Sequence, residues 1–285
     1  VHSMGGGAAF SERDVTAARN FGAAARAAGV RRIIYLGGLG DPSTALSHHL
    51  RSRQETGDVL REAGVPVTEF RAGVIVGSGS LSFGMIRYLT ERVPVMICPS
   101  WVYTKTQPIA IRNVLQYLAG ALTVPESAGR IIEIGGAEVI SYGDMMTGYA
   151  RARGLKRWML PVPFLTPRLS SYWVHLVTPI PATIAQPLVE GLRNEIVVRD
   201  DSARRPFPDI VPMDYDAAVA AALARLEAAT VETTWSGALV TSQGDRAPVT
   251  LTELEGMIVE RRQRVVPAAP AAVYRAFMGL GGATG

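Results

Sequence analysis

Cysteine is nearly absent from this 285-residue chain, in which Cys98 is the only one. A single cysteine excludes an intrachain disulfide and fits a reducing compartment, so we predict a cytoplasmic protein. Cys98 lies in the apolar run 93–99, and no histidine is near it in the sequence. This setting predicts a buried thiol and not a catalytic nucleophile.

Metal-binding patterns are also scarce. The four histidines, His2, His48, His49 and His175, have no metal-ligand spacing beyond one adjacent pair. We therefore predict that the protein binds no metal. The 29 basic and 25 acidic residues give a formal charge of +4 and are spread along the chain. Because no basic block is interleaved with aromatic residues, we predict no nucleic-acid partner.

The chain has no unbroken apolar segment of the length that spans a membrane. Its most apolar stretch, 172–189, is interrupted by His175 and by three prolines, whereas a spanning helix needs roughly 20 apolar residues. Weak contact of this stretch with a membrane surface stays open as an alternative. Hydrophobic residues make up 48% of the chain and charged residues 19%, which excludes a disordered protein.

Familiar phosphate-binding motifs are missing as well. The sequence contains neither the Gly-x-Gly-x-x-Gly fingerprint of dinucleotide-binding proteins nor a Walker motif. The looser glycine spacing in 279–285 follows a predicted helix instead of a strand, so we interpret it as unrelated. Residues 77–80 do not fit a nucleophile elbow. They predict a turn and a helix N-cap, whose amides are able to contact a phosphate or a carboxylate.

The chain does contain a strand that ends in glycine. Residues 33–36 are apolar and run directly into Gly37, Gly38, Leu39 and Gly40. This pattern is typical of a strand buried on both faces whose backbone then turns or approaches another group closely. Ligands of doubly wound α/β proteins bind beyond the carboxyl ends of such strands. The glycine tip is therefore a candidate ligand site, and a plain buried strand with a flexible turn is the alternative.

Helices and strands alternate around this strand. The pattern Ser11-x-x-Asp14 predicts a capping box at the start of a helix that ends at Gly29. A second helix is predicted over 47–63, ending at Gly64, and a strand over 67–71. Strand and helix alternation with short connections is typical of parallel crossovers, so we predict an α/β fold with a parallel sheet.

The remaining sequence predicts further elements and a second domain. Residues 156–213, rich in proline and aromatic residues, predict a lid or a substrate-side subdomain. The predicted helices are 81–92, 111–122, 141–153, 214–229 and 268–278, and the third of them begins with a Ser141-x-x-Asp144 capping box and ends at Gly154. The predicted strands are 130–134, 195–199 and 251–266, and 106–111 predicts either a short edge strand or an extended loop. We place the domain boundary between 1–230 and 231–285.

One pair of side chains in the second helix carries candidate chemistry. His49 and Arg53 are four residues apart and therefore lie on one helix face, just after the glycine tip. In a crevice, the histidine is suited to act as a general acid, and the guanidinium is suited to hold a ribose hydroxyl or a phosphate. The alternative is a solvated helix face with an incidental histidine.

Several longer motifs look familiar as a set. They are FSERD (10–14), AARNF (17–21), RIIYLGGL (32–39), LRSRQETG (50–57), RAGVIVGSG (71–79), QPIAI (107–111), TPRLSSYW (166–173) and GLRN (191–194). These motifs resemble the NmrA-like, atypical short-chain dehydrogenase/reductases. More narrowly, they are similar to a bacterial subgroup in which a nucleotide-binding domain precedes a DUF2867 domain with a START-like fold. The resemblance covers most of 1–225, and 250–285 resembles the opening of the second domain.

The resemblance implies a Rossmann-like parallel sheet, a substrate-side subdomain and the start of a C-terminal α+β START-like domain. In the family, the glycine fingerprint follows the first strand. If 1–3 corresponds to the family's fourth strand, the resemblance implies a chain truncated at both ends, without its first strands and fingerprint. It places the nicotinamide side of an NADP or NAD site at Ser3, Met4, Gly37, Gly38, Leu39, Ala72, Gly73 and Val74.

The resemblance also implies a departure from the family's catalytic pattern. Standard members end the fifth strand with a serine and carry Tyr-x-x-x-Lys on the next helix. Here the serine position is a glycine, and His49 and Arg53 align with the tyrosine and the lysine. Three functions follow as alternatives: an NAD(P)H-dependent oxidoreductase acting on an apolar small molecule or lipid, a dinucleotide-binding sensor without turnover, and a lipid-binding scaffold.

Overall fold

The computed structural model describes residues 8–162, 189–227, 249–254, 257–262 and 267–278. The predictions for Ser3 and Met4, for the apolar stretch 172–189 apart from its last residue, and for 279–285 lie outside these ranges. The chain divides into two compact units, Val1–Glu232 and Thr233–Gly285. Within the described residues, no helix combines the length and the apolarity needed to cross a membrane.

The first unit contains most of the regular structure. Its elements in chain order are α1 (Ala8–Ala27), β1 (Ile33–Gly38), α2 (His48–Glu62), β2 (Val67–Ala72), β3 (Ile75–Val76), α3 (Leu81–Arg92), β4 (Val95–Pro99), β5 (Lys105–Thr106), β6 (Ile109–Ala110), α4 (Ile111–Gly120), β7 (Ile131–Ile134), β8 (Ile140–Ser141), α5 (Tyr142–Ala152), β9 (Trp158–Val162) and α6 (Tyr215–Glu227). Short 3₁₀ helices occupy Ser100–Tyr103 and Pro125–Ser127. In the second unit, β10 (Val249–Leu254) pairs antiparallel with β11 (Met257–Arg262), and α7 (Pro270–Met278) follows.

A parallel sheet of order β1-β2-β7 forms the centre of the first unit. Gly38 pairs with Ala72, and Ala72 pairs with Ile134, so the carboxyl ends of the three strands meet at one edge. The predicted α/β fold with a parallel sheet is confirmed. Every residue of the central strand β2 is buried, because helices cover both faces of the sheet, as is usual for parallel sheets.

Each face of the sheet has its own core. On one face, α1 and α2 pack over the sheet, and the buried residues are Ala18, Ala25, Ile33, Tyr35, Leu60, Val65 and Val67. On the other face, α4 and the turn at 203–207 pack against it around the rings of Phe70, Tyr117 and Phe207. The centroids of these three rings lie 5.5–5.8 Å apart, a distance typical of favourable aromatic pairs.

The glycines that were predicted to end helices do so. Gly29, Gly64 and Gly154 have φ values of 66°, 79° and 65°, the left-handed conformation that glycine adopts at little cost. The second predicted capping box is also confirmed. The Ser141 side chain accepts from the Asp144 amide, and the Asp144 carboxylate accepts from the Ser141 amide.

The first predicted capping box is wrong, because α1 begins at Ala8 and so contains Ser11. The Ser11 hydroxyl donates to Glu55 at 3.1 Å, and Asp14, which is buried, accepts from the Ser52 hydroxyl at 3.4 Å. Both polar side chains therefore connect α1 to α2. The Ser11-x-x-Asp14 pattern is typical of a helix N-cap, but α1 begins about one turn before it, at Ala8.

The predicted strand at 195–199 is also wrong. Within it, Ile196 forms an isolated bridge with Thr106, in which the Ile196 amide donates to the Lys105 carbonyl and the Gln107 amide donates to the Ile196 carbonyl. Because β5 is only two residues long, it forms a single bridge with this segment. The β-branched pattern therefore produces an extended segment without a ladder.

The prediction of a buried thiol at Cys98 is confirmed. Cys98 lies in β4, which pairs in parallel with β9, and is 2% exposed. Burial raises the pKa of the Cys98 thiol, which disfavours the reactive thiolate.

Candidate functional site

A cavity of about 250 Å³ lies at the carboxyl ends of β1 and β2. This is the place where doubly wound α/β proteins bind their ligands. Residues from the strand ends, from α2, from α3, from the start of α5 and from the segment 191–196 form its wall. They are Leu36, Gly37, Gly38, His49, Leu50, Arg53, Ala72, Gly73, Val74, Ile75, Ser82, Met85, Ile86, Tyr142, Gly191, Leu192 and Ile196.

The structure brings most of the candidate residues together in this wall. Both predicted catalytic residues and the predicted cofactor-binding residues of the two strand ends line the cavity, namely Gly37, Gly38, His49, Arg53, Ala72, Gly73 and Val74. Leu39 does not. It is fully buried in a core cluster with Leu46, Leu50 and Ile196, behind the cavity wall, where it supports the strand end.

Glycine at 38 and 73 allows neighbouring elements to approach the strand ends closely. A Cβ at Gly38 would lie 3.2 Å from Leu50 Cδ2 and 3.4 Å from Arg53 Cβ, both on α2. A Cβ at Gly73 would lie only 2.7 Å from Ile196 Cγ2. The missing side chains thus bring α2 and the 191–196 segment against the floor of the cavity.

Gly37 is crowded from behind by a buried charge. A Cβ at this position would lie 3.1 Å from Glu69 Oε1 and 3.1 Å from Tyr35 Cε1. Glu69 is fully buried on β2, where it pairs with Arg71 at 2.7 Å and with Arg61. An acidic side chain is therefore packed behind the backbone at this strand end.

His49 and Arg53 project from the first two turns of α2. Ser47 caps this helix and accepts from the Leu50 amide at 3.3 Å. The Tyr35 hydroxyl donates to the Arg53 carbonyl at 2.8 Å, which ties this turn of α2 to β1. Burial lowers the pKa of the Arg53 guanidinium, and the acidic groups of Tyr35 and Asp14 partly offset that effect.

The segment 189–199 closes one side of the cavity and is attached at both ends. Asn194 accepts from the Ser47 amide at 3.1 Å and donates to the Ala45 carbonyl at 3.0 Å. Further along, the Arg199 guanidinium pairs with Glu133, which is buried, and with Asp41 at 3.2 Å. These bonds hold the segment over the strand ends.

Ten residues of the wall were not singled out as site residues from the sequence, and four of them come from two helices packed over the strand ends. Ser82, Met85 and Ile86 belong to α3, and Tyr142 is the first residue of α5. Met85, Ile86 and Tyr142 are buried. The helices themselves were predicted, but their placement over the sheet depends on long-range packing. The cavity is therefore mostly apolar, with polar side chains from His49, Arg53, Ser82 and Tyr142.

Metal ligation finds no support among the residues that the structure describes. Within those ranges, no three His, Cys, Asp or Glu side chains are grouped so that they could hold a metal ion. Of the adjacent histidines, His49 faces the cavity, whereas His48 is exposed.

Comparison with solved structures identifies the fold. No protein-family model matches the chain, and no curated protein matches it at a significant level. A nucleoside-diphosphate-sugar epimerase from Staphylococcus aureus superposes over 73% of this chain and 71% of its own, with a TM-score of 0.57 and 14% identity. A Citrobacter sp. triphenylmethane reductase superposes over 77% of this chain and 74% of its own, with a TM-score of 0.60 and 15% identity.

A third similar structure contains a nucleotide. The Escherichia coli NADPH-dependent quinone oxidoreductase QOR2, complexed with NADPH, matches over 71% of this chain and 69% of its own, with a TM-score of 0.57 and 17% identity. At these identities the likeness shows the fold alone. The chain has the Rossmann-like α/β architecture of these epimerases and reductases.

Proposed function

We propose that the chain is an NmrA-like, NAD(P)-binding oxidoreductase that reduces an apolar small molecule. The observation that carries this proposal is the cavity at the carboxyl ends of β1 and β2, where glycine-rich strand ends face His49 and Arg53. Its fold neighbours include enzymes whose structures contain NADPH or NADP(H).

The wall residues divide naturally between cofactor and substrate. Gly37, Gly38 and residues 72–74 line the cavity at the strand ends, so a nicotinamide ring would lie against them on the cavity side. Arg53 would hold a ribose hydroxyl or a phosphate, since its charge and planar donors suit both. The sequence has no Gly-x-Gly-x-x-Gly motif, so this fit concerns the nicotinamide side only, and the choice between NAD and NADP stays open.

The remaining side chains would serve the substrate and the proton. Bound NAD(P)H supplies a hydride, which passes with its electron pair to an electrophilic carbon of the substrate. His49 would give a proton to the atom that gains negative charge, as a general acid does. The buried side chains of Met85, Ile86 and Leu192 exclude water and favour an apolar substrate.

A dinucleotide-binding sensor without turnover is the second candidate. The serine of standard reductases is replaced by glycine at a crowded strand end, and neither the tyrosine nor the lysine is present at 49 and 53. A site that keeps the cofactor side but lacks this catalytic set fits a protein that signals the redox state of its nucleotide.

We further propose that 231–285 belongs to a DUF2867-type, START-like domain. The antiparallel pair β10–β11 followed by α7 supports an α+β unit. START-like folds enclose apolar ligands, so this assignment supports an apolar small molecule or a lipid as the partner. In a lipid-binding scaffold, the α/β unit would have no redox role.

Calorimetric titration with NADPH and NADH, followed by NADPH oxidation assays with ketones and quinones, tests the proposal. Binding with turnover supports the oxidoreductase, binding without turnover supports the sensor, and absence of binding refutes both. The adjacent histidines offer a matched control. We expect His49→Gln to lower turnover by roughly 100-fold or more, as loss of a general acid does, and His48→Gln to have little effect.

Two arginines of α2 form a matched pair of positions that tests the prediction for nucleotide affinity. Arg53 lines the cavity, whereas Arg51 is exposed. We expect Arg53→Leu to weaken NADPH binding by about 10-fold or more, the loss of a hydrogen bond to a charged group. The Arg51→Leu variant should bind NADPH with the same affinity as the unchanged protein. Equal effects of the two substitutions would refute the assignment of Arg53.

A further inference from the structure

Tyr142 enters the cavity from an element that carries none of the candidate catalytic residues. It is the first residue of α5, directly after Ser141, whose capping box with Asp144 fixes the start of that helix. The short pair β5–β8 places Ser141 opposite Lys105. Tyr142 is 3% exposed and forms part of the cavity wall. The part of its side chain that is not packed in the core therefore faces the cavity.

A second hydroxyl is buried beside it. Thr106 is fully buried and lies behind the cavity wall, where its hydroxyl would be 3.7 Å from a Cβ at Gly73. Its polar neighbour is the Tyr142 phenol, and a buried hydroxyl left unpaired is costly. When the Thr106 hydroxyl donates to the phenol oxygen, the proton of the phenol is available to a ligand in the cavity.

The surroundings of these hydroxyls are apolar. Met85, Ile86, Leu192 and Ile196, which share the wall with Tyr142, are all buried. In such surroundings, a polar group of a ligand gains from a hydrogen bond because little water competes for it. A ligand that fills this space must be apolar over most of its surface and must present a hydrogen-bond acceptor at the hydroxyl pair.

We propose that Tyr142 binds the carbonyl oxygen of an apolar carbonyl substrate by donating a hydrogen bond from its phenol, with Thr106 positioning that phenol. This inference rests on the proposed function and names its substrate class. The phenol polarises the carbonyl, the hydride adds to the carbonyl carbon, and the proton that completes the alcohol comes from His49. Tyr142 keeps its own proton throughout.

Burial supports this division of roles. It raises the pKa of the Tyr142 phenol, and the nearby Thr106 hydroxyl lowers it by a smaller amount. A phenol with a raised pKa stays protonated, so it remains a hydrogen-bond donor but is a poor source of protons. The phenol of Tyr142 is therefore suited to polarise the carbonyl, and proton transfer is left to His49, which lines the same cavity.

The test compares two ligands and two phenylalanine variants. Acetophenone and ethylbenzene, its carbonyl-free analogue, are titrated by ligand-observed NMR without nucleotide, and the ratio of their dissociation constants is taken. Tyr142→Phe removes only the hydroxyl. Tyr117→Phe is the matched control, because Tyr117 is 4% exposed but belongs to the core under α4.

We expect Tyr142→Phe to reduce the preference for acetophenone by roughly 3- to 10-fold, the usual effect of one neutral hydrogen bond, with ethylbenzene binding unchanged. Tyr117→Phe should leave the preference as it is. An unchanged preference in Tyr142→Phe, an equal loss in both variants, or no binding of acetophenone to the unchanged protein would overturn the inference.

A separate NADPH titration keeps the two proposals distinguishable. If the carbonyl preference depends on Tyr142 but NADPH does not bind, the proposed function fails and the carbonyl site stands. If NADPH binds and is oxidised but Tyr142→Phe keeps the preference, the proposed function stands and this inference fails. Thr106→Val gives a further readout: it removes the group that positions the phenol but keeps the phenol itself, so it should weaken the preference less than Tyr142→Phe.

Discussion

Replacement of Glu69 by glutamine should destabilise the sheet severely. Glu69 is fully buried between Arg71, whose side chain is 8% exposed, and Arg61, which is half-buried. The substitution keeps the shape of the side chain but removes its charge. Arg71 is then left as an unpaired charge in the interior, and removing one partner of a buried ion pair costs about 3–5 kcal/mol.

The melting temperature should report this loss. For a chain of this size, 1 kcal/mol corresponds to about 2 °C, so Glu69→Gln should lower the midpoint by roughly 6–10 °C. Arg61→Met should have a much smaller effect, because that side chain reaches solvent and also pairs with Asp58. Thermal unfolding followed by circular dichroism, together with urea titration, measures both variants.

A double variant separates charge from packing. Glu69→Met with Arg71→Met removes both buried charges and retains apolar bulk, and such replacements are often neutral or stabilising. We expect the double variant to be more stable than Glu69→Gln alone. If it is as unstable as the sum of the single substitutions, the network contributes through its shape, and the argument from an unpaired charge is wrong.

Three further predictions follow from burial. Cys98, whose pKa burial raises, should react with a thiol reagent such as dithionitrobenzoate only as fast as the protein opens, so urea should accelerate the reaction. Gly73→Ala should shrink the cavity and weaken ligand binding, because the new Cβ meets Ile196; an unchanged acetophenone affinity would contradict this. Burial raises the pKa of several phenols, which keeps the folded form protonated, so their contribution to stability should be complete below about pH 10 and be lost as the pH rises further. Phenolate absorbance should then appear together with unfolding and not before it, and the phenols concerned are Tyr35, Tyr142, Tyr149 and Tyr215.

Local signals in the sequence predicted much of the fold. Helix ends at Gly29, Gly64 and Gly154 could be placed because a left-handed residue favours glycine at a helix end. The parallel sheet followed from apolar strands separated by helices. The pair β4–β9 was not predicted, since its strands are far apart in the sequence and register depends on tertiary packing.

The candidate site was predictable only where one strand or one helix carries the signal. The glycine tips and the pair His49 and Arg53 could be found by position, because the carboxyl ends of parallel strands converge. Tyr142 and Thr106 could not, because their meeting depends on β5 pairing with β8. The burial of Glu69 could not be predicted either, because β2 also carries Thr68 and Arg71 and its sequence does not indicate that both faces are covered.

The close packing around Glu69 also constrains the order in which substitutions could accumulate. A Cβ at Gly57 would lie 2.3 Å from Glu69 Oε2, and one at Gly37 would lie 3.1 Å from Glu69 Oε1. A side chain at Gly57 requires Glu69 to move or to become smaller, and one at Gly37 requires this buried, ion-paired side chain to shift slightly. A change of Glu69 in turn leaves Arg71 without its partner. A mutational path toward a serine at the strand end therefore involves the sheet interior, so the residues at 37, 57, 69 and 71 should vary together among descendants of this sequence.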